Sequence, residues 1–336
     1  MSITLLRRPE MPVPTVVFDT YWRFAVARQE IFIARLRGAA PPWTDDPILQ
    51  RHRFTNAYRV LDRVSQYLVG RVIPEGSDDR EEVFFRTMLF KLFNKVETWE
   101  RLGDAVGETP SWQHFDFSTM DTTLTEARAA GDRIYSAAYI MPAAGQFGRG
   151  AKHRTHLRLL EWMMTNGIPE RVGSSRTMGE AFEVLRGIPS FGDFLAYQLV
   201  TDLNYSSVCD FSEMEFVQPG PGAIDGIAKC FSSLGGYSAP DLIRWVADYQ
   251  DEHFEARGLR FGRLAERPLQ LIDCQNVFCE VDKYARIAHP EITGRSGRTR
   301  IKQVFAPAGV LDEPALPSKW GISVGDDRAA LLAAVR

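Results

Sequence analysis

The chain has 336 residues, 45% hydrophobic and 25% charged, enough to bury a full core in one large or two intimate domains and too ordinary in composition for a low-complexity chain. No run approaches the roughly 18 apolar residues of a membrane span, and MSITLLRRPEMPVP lacks a signal-peptide core, so a cytoplasmic protein is expected. A net charge of −3 excludes a protein held on nucleic acid by its overall field and leaves that task to local clusters of cations.

Apolar spacing predicts a mostly helical chain, with helices at about 21–37, 54–68, 81–98, 119–140, 154–165, 177–186, 193–204, 222–232, 239–257 and 268–288. The first offers Trp22, Arg23, Arg28 and Arg35, with Trp43 beyond it, and an indole suits base stacking as well as a core. In the second, RFTNAYRVLDRVSQYL, an apolar stripe of Ala57, Leu61, Val64 and Leu68 faces away from Asn56, Arg59, Arg63 and Gln66. Solvated faces favour Lys and Glu. Asn, Gln and Arg read base edges or clamp phosphate in fixed geometry, which makes these four candidate base-binding residues.

Further on, GRGAKHRTHLR gathers Arg149, Lys152, His153, Arg154 and Arg158, and Lys152 and Arg154 are candidate phosphate contacts unless the run is a solvated loop. Residues 177–205 read as helix, hairpin and helix. Thr177 and Glu180 fit a capping box, Gly187 a helix end and Pro189 a break, while Gly192 permits a turn and Asp193 caps a helix carrying Leu195, Leu199 and Leu203. Backbone N–H groups at Ser190, Gly192 and Asp193 would converge on a phosphate oxygen, the alternative being an ordinary helical hairpin. Asp210, Glu213 and Glu215 then precede a rigid PGPG loop whose following helix start, near Ala223, suits an anion.

The helix at 268–288 sets Leu271, Cys274, Phe278 and Val281 toward a core and Asp273, Asn276, Glu280 and Lys283 along one stripe. That stripe is either an internal ion-pair network or a polar site to which Asn276 and Lys283 contribute. GRSGRTRIK brings Arg295, Arg298, Arg300 and Lys302, and Arg298 and Arg300 are again candidate phosphate contacts. The spacing of Pro307, Pro314 and Pro317 predicts an irregular tail, 306–336, after a single domain over 1–305. Cys209, Cys230, Cys274 and Cys279 are scattered, so buried free thiols are expected rather than disulfides or a metal site.

RFTNAYRVLDRVSQYL, IPSFGDFLAYQLVTDLNYS, FVQPGPGAIDGI and FCEVDKYAR resemble, in this order, the alpha-glutamyl/putrescinyl thymine pyrophosphorylase group and its relative, the helical domain of 5-hydroxymethyluracil DNA kinases. That family resembles a divergent branch of the helix-hairpin-helix DNA glycosylases. The resemblance implies an all-α, two-lobed helix-hairpin-helix glycosylase-like fold, with the hairpin on one strand's phosphates and the target base flipped into a cleft. Phe194 falls where bifunctional relatives place a Schiff-base lysine, which implies a monofunctional enzyme. The superfamily's catalytic carboxylate maps to Glu213, with Glu215 beside it and Asp225 and Asp282 as further candidates. Implied overall is excision of C5-substituted pyrimidines from double-stranded phage DNA, leaving abasic sites, as antiviral defence without cofactor, metal or obligate protein partner. One alternative is a pyrophosphorylase or transferase of thymine hypermodification, with Arg59, Arg63 and the Ala223 helix start on a diphosphate. The other is a non-catalytic DNA-binding module, since no G-x-x-x-x-G-K-[ST] motif of a fused P-loop kinase occurs in the chain.

Overall fold

Side chains at helix starts set many of the element boundaries. Thr15, Asp46, Asp79, Asp116, Thr177 and Ser238 each accept a backbone N–H from the first turn that follows, satisfying donors that have no partner inside the helix. The computed structural model describes residues 10–137, 141–306 and 311–322. In chain order they form β1 (Val13–Pro14), α1 (Val16–Leu36), α2 (Pro47–Arg51), α3 (Arg63–Tyr67), α4 (Arg80–Phe93), α5 (Val96–Val106), α6 (Phe117–Ala129), α7 (Lys152–Thr165) and α8 (Ile168–Gly173). There follow α9 (Met178–Arg186), α10 (Asp193–Leu203), α11 (Pro221–Cys230), β2 (Phe231–Ser233), α12 (Ala239–Asp248), α13 (Gln250–Glu255) and α14 (Leu271–Ala288). The protein is mostly helical, as expected, with one antiparallel pairing of β1 with β2 that the sequence does not announce. The chain forms two compact units.

Unit 1 covers Met1–Arg59 and Val217–Glu313 as far as they are described. Its core is aromatic: Tyr21 of α1 packs on Phe278 of α14, 4.5 Å between ring centroids, and donates its hydroxyl to the Cys274 carbonyl at 3.1 Å. Trp22 is fully buried beside it, so this indole is a core residue. Helices α11 and α14 touch backbone to backbone. A Cβ on Gly226 would stand 2.0 Å from the Phe278 carbonyl oxygen, and one on Gly222 2.3 Å from Cys279 Sγ. These glycines lie one turn apart on the same helix face, and that face admits no side chain at either position.

Unit 2 covers Val60–Phe216 and Pro314–Ser323 as far as they are described. At its centre α4 is buried from Val83 through Phe93. Arg86 survives there because its guanidinium donates to the carbonyls of Val72, Ile73 and Ser77 at 2.8, 2.6 and 2.6 Å. Lys91 survives beside Asp202 of α10, 3.1 Å away, while also donating to Asn94 Oδ1 at 2.6 Å.

Several expected helices end early, each for a local reason. Asn94 takes a left-handed conformation (φ 51°) and divides 81–98 into α4 and α5. Tyr249 (φ −110°, ψ 23°) divides 239–257 into α12 and α13, and α6 stops at Ala129, with 138–140 outside the described residues. The largest correction is at 54–68. A helix would bond the Arg59 N–H to the Thr55 carbonyl; instead Asp273 Oδ1 takes that N–H at 2.8 Å and Arg28 Nε donates to that carbonyl at 2.9 Å. The chain there is irregular, then a 3-10 turn at Arg59–Leu61, α3, and a π turn at Leu68–Val72. Asn56 and Arg59 consequently belong to unit 1, Arg63 and Gln66 to unit 2.

Candidate functional site

In unit 1 the polar stripe of α14 organises the segment before Arg59. Glu280 Oε2 accepts the Thr55 N–H at 3.0 Å and the Lys283 ammonium at 2.7 Å, and that ammonium lies 4.5 Å from the centroid of the Phe54 ring. Asn56 Oδ1 accepts from Arg28 Nη2 at 3.1 Å. Asn276, half-buried on the same stripe, accepts from Gln275 Nε2 at 3.3 Å and leaves its amide nitrogen without a hydrogen bond among the described residues. Tyr284 donates to Asp46 Oδ2 at 2.6 Å, and burial together with Asp46 pushes its phenol up. Amide, carboxylate and ammonium thus stand at i, i+4 and i+7 along one stripe of α14, with the carboxylate buried and the other two half-buried. Arg59 is buried in unit 1 as well.

The rest of the expected base-binding set lies in unit 2. Arg63 is an exposed side chain 3.7 Å from Glu97. Gln66 grips the backbone of Ala315: its Oε1 accepts the Ala315 N–H at 2.9 Å and its Nε2 donates to the Ala315 carbonyl at 2.9 Å. The tail residues from Pro314 are therefore fastened to this unit.

Two of the four candidate acids belong to unit 1 and two to unit 2. Asp282 is buried between Lys229, 3.0 Å away, and Arg286, 2.5 Å away. Asp225 accepts the Ser296 N–H at 2.9 Å and touches the backbone so closely that a Cβ on Gly294 would stand 3.1 Å from it. Glu215, in unit 2, accepts the Met178 N–H at 3.2 Å and so satisfies a donor at the start of α9. Glu213 is also buried in unit 2.

The helical pair at 177–205 forms as expected, with Thr177 Oγ1 accepting the Glu180 N–H at 3.1 Å. Its turn differs in detail. Glu180 reaches back to the Arg176 N–H at 2.8 Å, and the left-handed residue is Ser190 (φ 72°), while Gly192 is extended (φ −91°). Asp193 is exposed and lies 3.9 Å from Arg186. Lys152 and Arg154 are committed elsewhere: Arg154 forks onto Asp121 at 2.6 to 3.1 Å, and Lys152 sits 4.2 Å over the Tyr135 ring, where burial lowers its pKa.

Arg298 and Arg300 are exposed on a segment that pairs with residues the sequence reading passed over. Arg53 N donates to Gln303 O at 3.1 Å and Phe305 N to Arg51 O at 3.0 Å, bridging His52 to Val304. Arg51 and Arg53 join the basic segment in this way. No local pattern signals a partner so far along the chain. Among the described residues no helix is long and apolar enough to cross a membrane, and no three His, Cys, Asp or Glu side chains cluster as metal ligands. All four cysteines are free.

The family model of the 5-hmdU DNA kinase helical domain matches residues 15–294. The chain belongs to this family. A 5-hmdU DNA kinase of Bacillus phage SP10 is 26% identical over 303 residues, covering 84% of this chain and 47% of the relative, so the chain spans about half the length of the curated relative it matches. No solved structure matches. The relative is named a kinase, a transferase, and this corrects the expectation of a monofunctional DNA glycosylase, with the base excision, abasic sites and antiviral defence that hung on it. Neither the pyrophosphorylase nor the non-catalytic module gains support from that name.

Proposed function

We propose that this chain takes part in phosphorylating 5-hydroxymethyl-2′-deoxyuridine in DNA, as the helical part that engages the modified nucleotide. The observation that carries this reading is the family match across 15–294, the span that holds the whole α14 neighbourhood. Support from the chemistry is that a 5-hydroxymethyl group differs from the thymine methyl by one hydroxyl, and Asn56, Asn276, Glu280 and Lys283 offer donors and an acceptor for it. A phosphoryl transfer needs that oxygen held in line with its donor, so positioning is a contribution to catalysis in its own right. No residue of this chain is assigned to the phosphoryl donor. The test is the affinity of the protein for one duplex carrying either 5-hydroxymethyl-2′-deoxyuridine or thymidine at a single position. A preference of about tenfold for the hydroxymethyl duplex is expected, the worth of one or two net hydrogen bonds, and Asn276→Ala should erase most of it. Equal affinity of the wild-type protein for both duplexes overturns the reading.

A further inference from the structure

We propose that Arg51, Arg53, Arg295, Arg298, Arg300 and Lys302 form one prebuilt surface for the phosphodiester backbone of duplex DNA. It deepens the DNA engagement proposed above and rests on that reading.

Three observations carry it. First, backbone pairing brings Arg51 and Arg53 alongside the end of the segment that carries the other four cations: residues 51–53 and 303–305 run antiparallel, with two hydrogen bonds of 3.1 and 3.0 Å flanking the His52 to Val304 bridge. Second, the segment is pinned from beneath by acceptors and donors that leave its own side chains out. Asp225 holds the Ser296 N–H at 2.9 Å, Gly297 turns with φ 63°, and Arg286 Nη1 donates to the Arg300 carbonyl at 3.0 Å. Third, all six cationic residues are exposed, and none has an ion pair or side-chain hydrogen bond among the described residues, in a chain whose net charge is −3.

A local field of that sign attracts a polyanion, and fixing the backbone beforehand removes much of the ordering cost of binding one. Five of the six are arginines, whose planar fork fits phosphate oxygens in pairs; an ammonium on a flexible stem would suit a diffuse anionic surface equally well. An isolated exposed valine, Val304 at 69%, is too little apolar surface for insertion into a membrane.

The test combines Arg51→Gln, Arg53→Gln, Arg298→Gln, Arg300→Gln and Lys302→Gln in one variant and measures affinity for unmodified and hydroxymethyl duplexes between 50 and 200 mM salt. Each lost phosphate contact removes about 0.9 from the slope of log affinity against log salt, so the slope should become shallower by about 4.5 and affinity at the low-salt end should fall by at least about five hundredfold. The ratio between the two duplexes should not change, which separates this surface from the base-reading site. A control with Arg→Lys at the four arginines keeps the charge and should keep the slope. The proposal is overturned if the glutamine variant retains the wild-type slope, if the wild-type slope is itself flat, or if phosphatidylserine vesicles are bound while duplex DNA is not. A wild-type ratio of one, with the slope behaving as stated, would sink the base reading and leave this surface standing.

Discussion

GRGAKHRTHLR and GRSGRTRIK are near-equivalents as sequences, and the fold uses them in opposite ways. In the first, three of the four Lys and Arg side chains are spent on partners within the protein, Arg154 on Asp121, Arg158 on Glu161 at 2.6 Å and on the Phe117 ring at 3.5 Å, and Lys152 on Tyr135, while Arg149 stays exposed. Its histidines are neutral supports. His156 Nε2 donates to the Pro142 carbonyl at 2.7 Å while Nδ1 accepts from the Tyr135 hydroxyl at 2.8 Å, and burial holds its pKa at about 4. In the second cluster it is the backbone that is tied down, and the charges are left in water. Availability of charge, set by what the fold brings alongside, separates a structural cluster from a binding one.

The strongest blow to this contrast is to the support under the second cluster. Removing Lys229 leaves the Asp282 carboxylate buried beside Arg286 alone, so Lys229→Ala should cost about 3–5 kcal/mol in urea unfolding, as for other broken buried ion pairs. Because Arg286 carries the Arg300 carbonyl, folded protein at low urea should also show a shallower salt slope for DNA; an unchanged slope would mean the segment is held without that support.

Acid should attack the first cluster and spare the second. The folded pKa of His156, about 4, lies below its unfolded value, so the neutral form contributes fully above roughly pH 6.5 and its contribution fades as pH falls toward 4. The loss should reach about 3 kcal/mol, and His156→Gln should lessen the dependence of melting temperature on pH across that window, the remainder belonging to His253, which burial also holds at about 4. A wild-type melting temperature constant from pH 7 to 4.5 would show that His156 is not what the cluster rests on.

Smaller effects sharpen the contrast. Gly226→Ala forces a methyl group toward the Phe278 carbonyl and should cost at least about 1–3 kcal/mol by overpacking, seen as a lower urea midpoint, whereas alanine at exposed Gly145, with nothing near its Cβ position, should be close to neutral. Asp121→Asn should release Arg154 and lower the urea midpoint slightly, since the carboxylate also faces buried His153. Arg154→Gln should leave the slope alone and move the urea midpoint little, since an exposed pair is screened by solvent.

What was legible in the sequence is what depends on near neighbours. Thr177 as a cap, the pair α9 and α10, and the ends of α7 follow from residues within a turn or two of each other. Glu161 as a partner for Arg158 is readable at i+3, whereas Asp121 as a partner for Arg154 is not. The helix expected at 54–68 failed for the same reason: Glu280 and Asp273, which hold the Thr55 and Arg59 N–H groups, lie 225 and 214 residues away in the chain. Arg51 and Arg53 escaped notice because Gln303, 251 residues beyond His52, supplies the pairing. The PGPG loop suggested an anion at the helix start that follows, and Gly222 and Gly226 serve contact with α14. The acids were placed by analogy with an enzyme class to which the kinase relative does not belong, and in the structure Glu215 serves a helix start, Asp225 a loop anchor and Asp282 an ion pair.

The residues after Pro314 carry one more consequence. Lys319 reaches into the loop after α10, where its ammonium meets Asn204 Oδ1 at 3.2 Å, the carbonyls of Ser206 and Cys209 at 3.4 and 2.6 Å, and Asp210 at 3.6 Å; burial draws its pKa down while Asp210 draws it up. Oxygen cages of this kind elsewhere hold a free cation from the buffer. Here the cation is covalently tethered, fastened a few residues upstream by Gln66 on Ala315, and present at a high local concentration that no dilution changes. The loop carries its own counter-ion, and exchanging sodium for potassium in the buffer should leave its fold untouched.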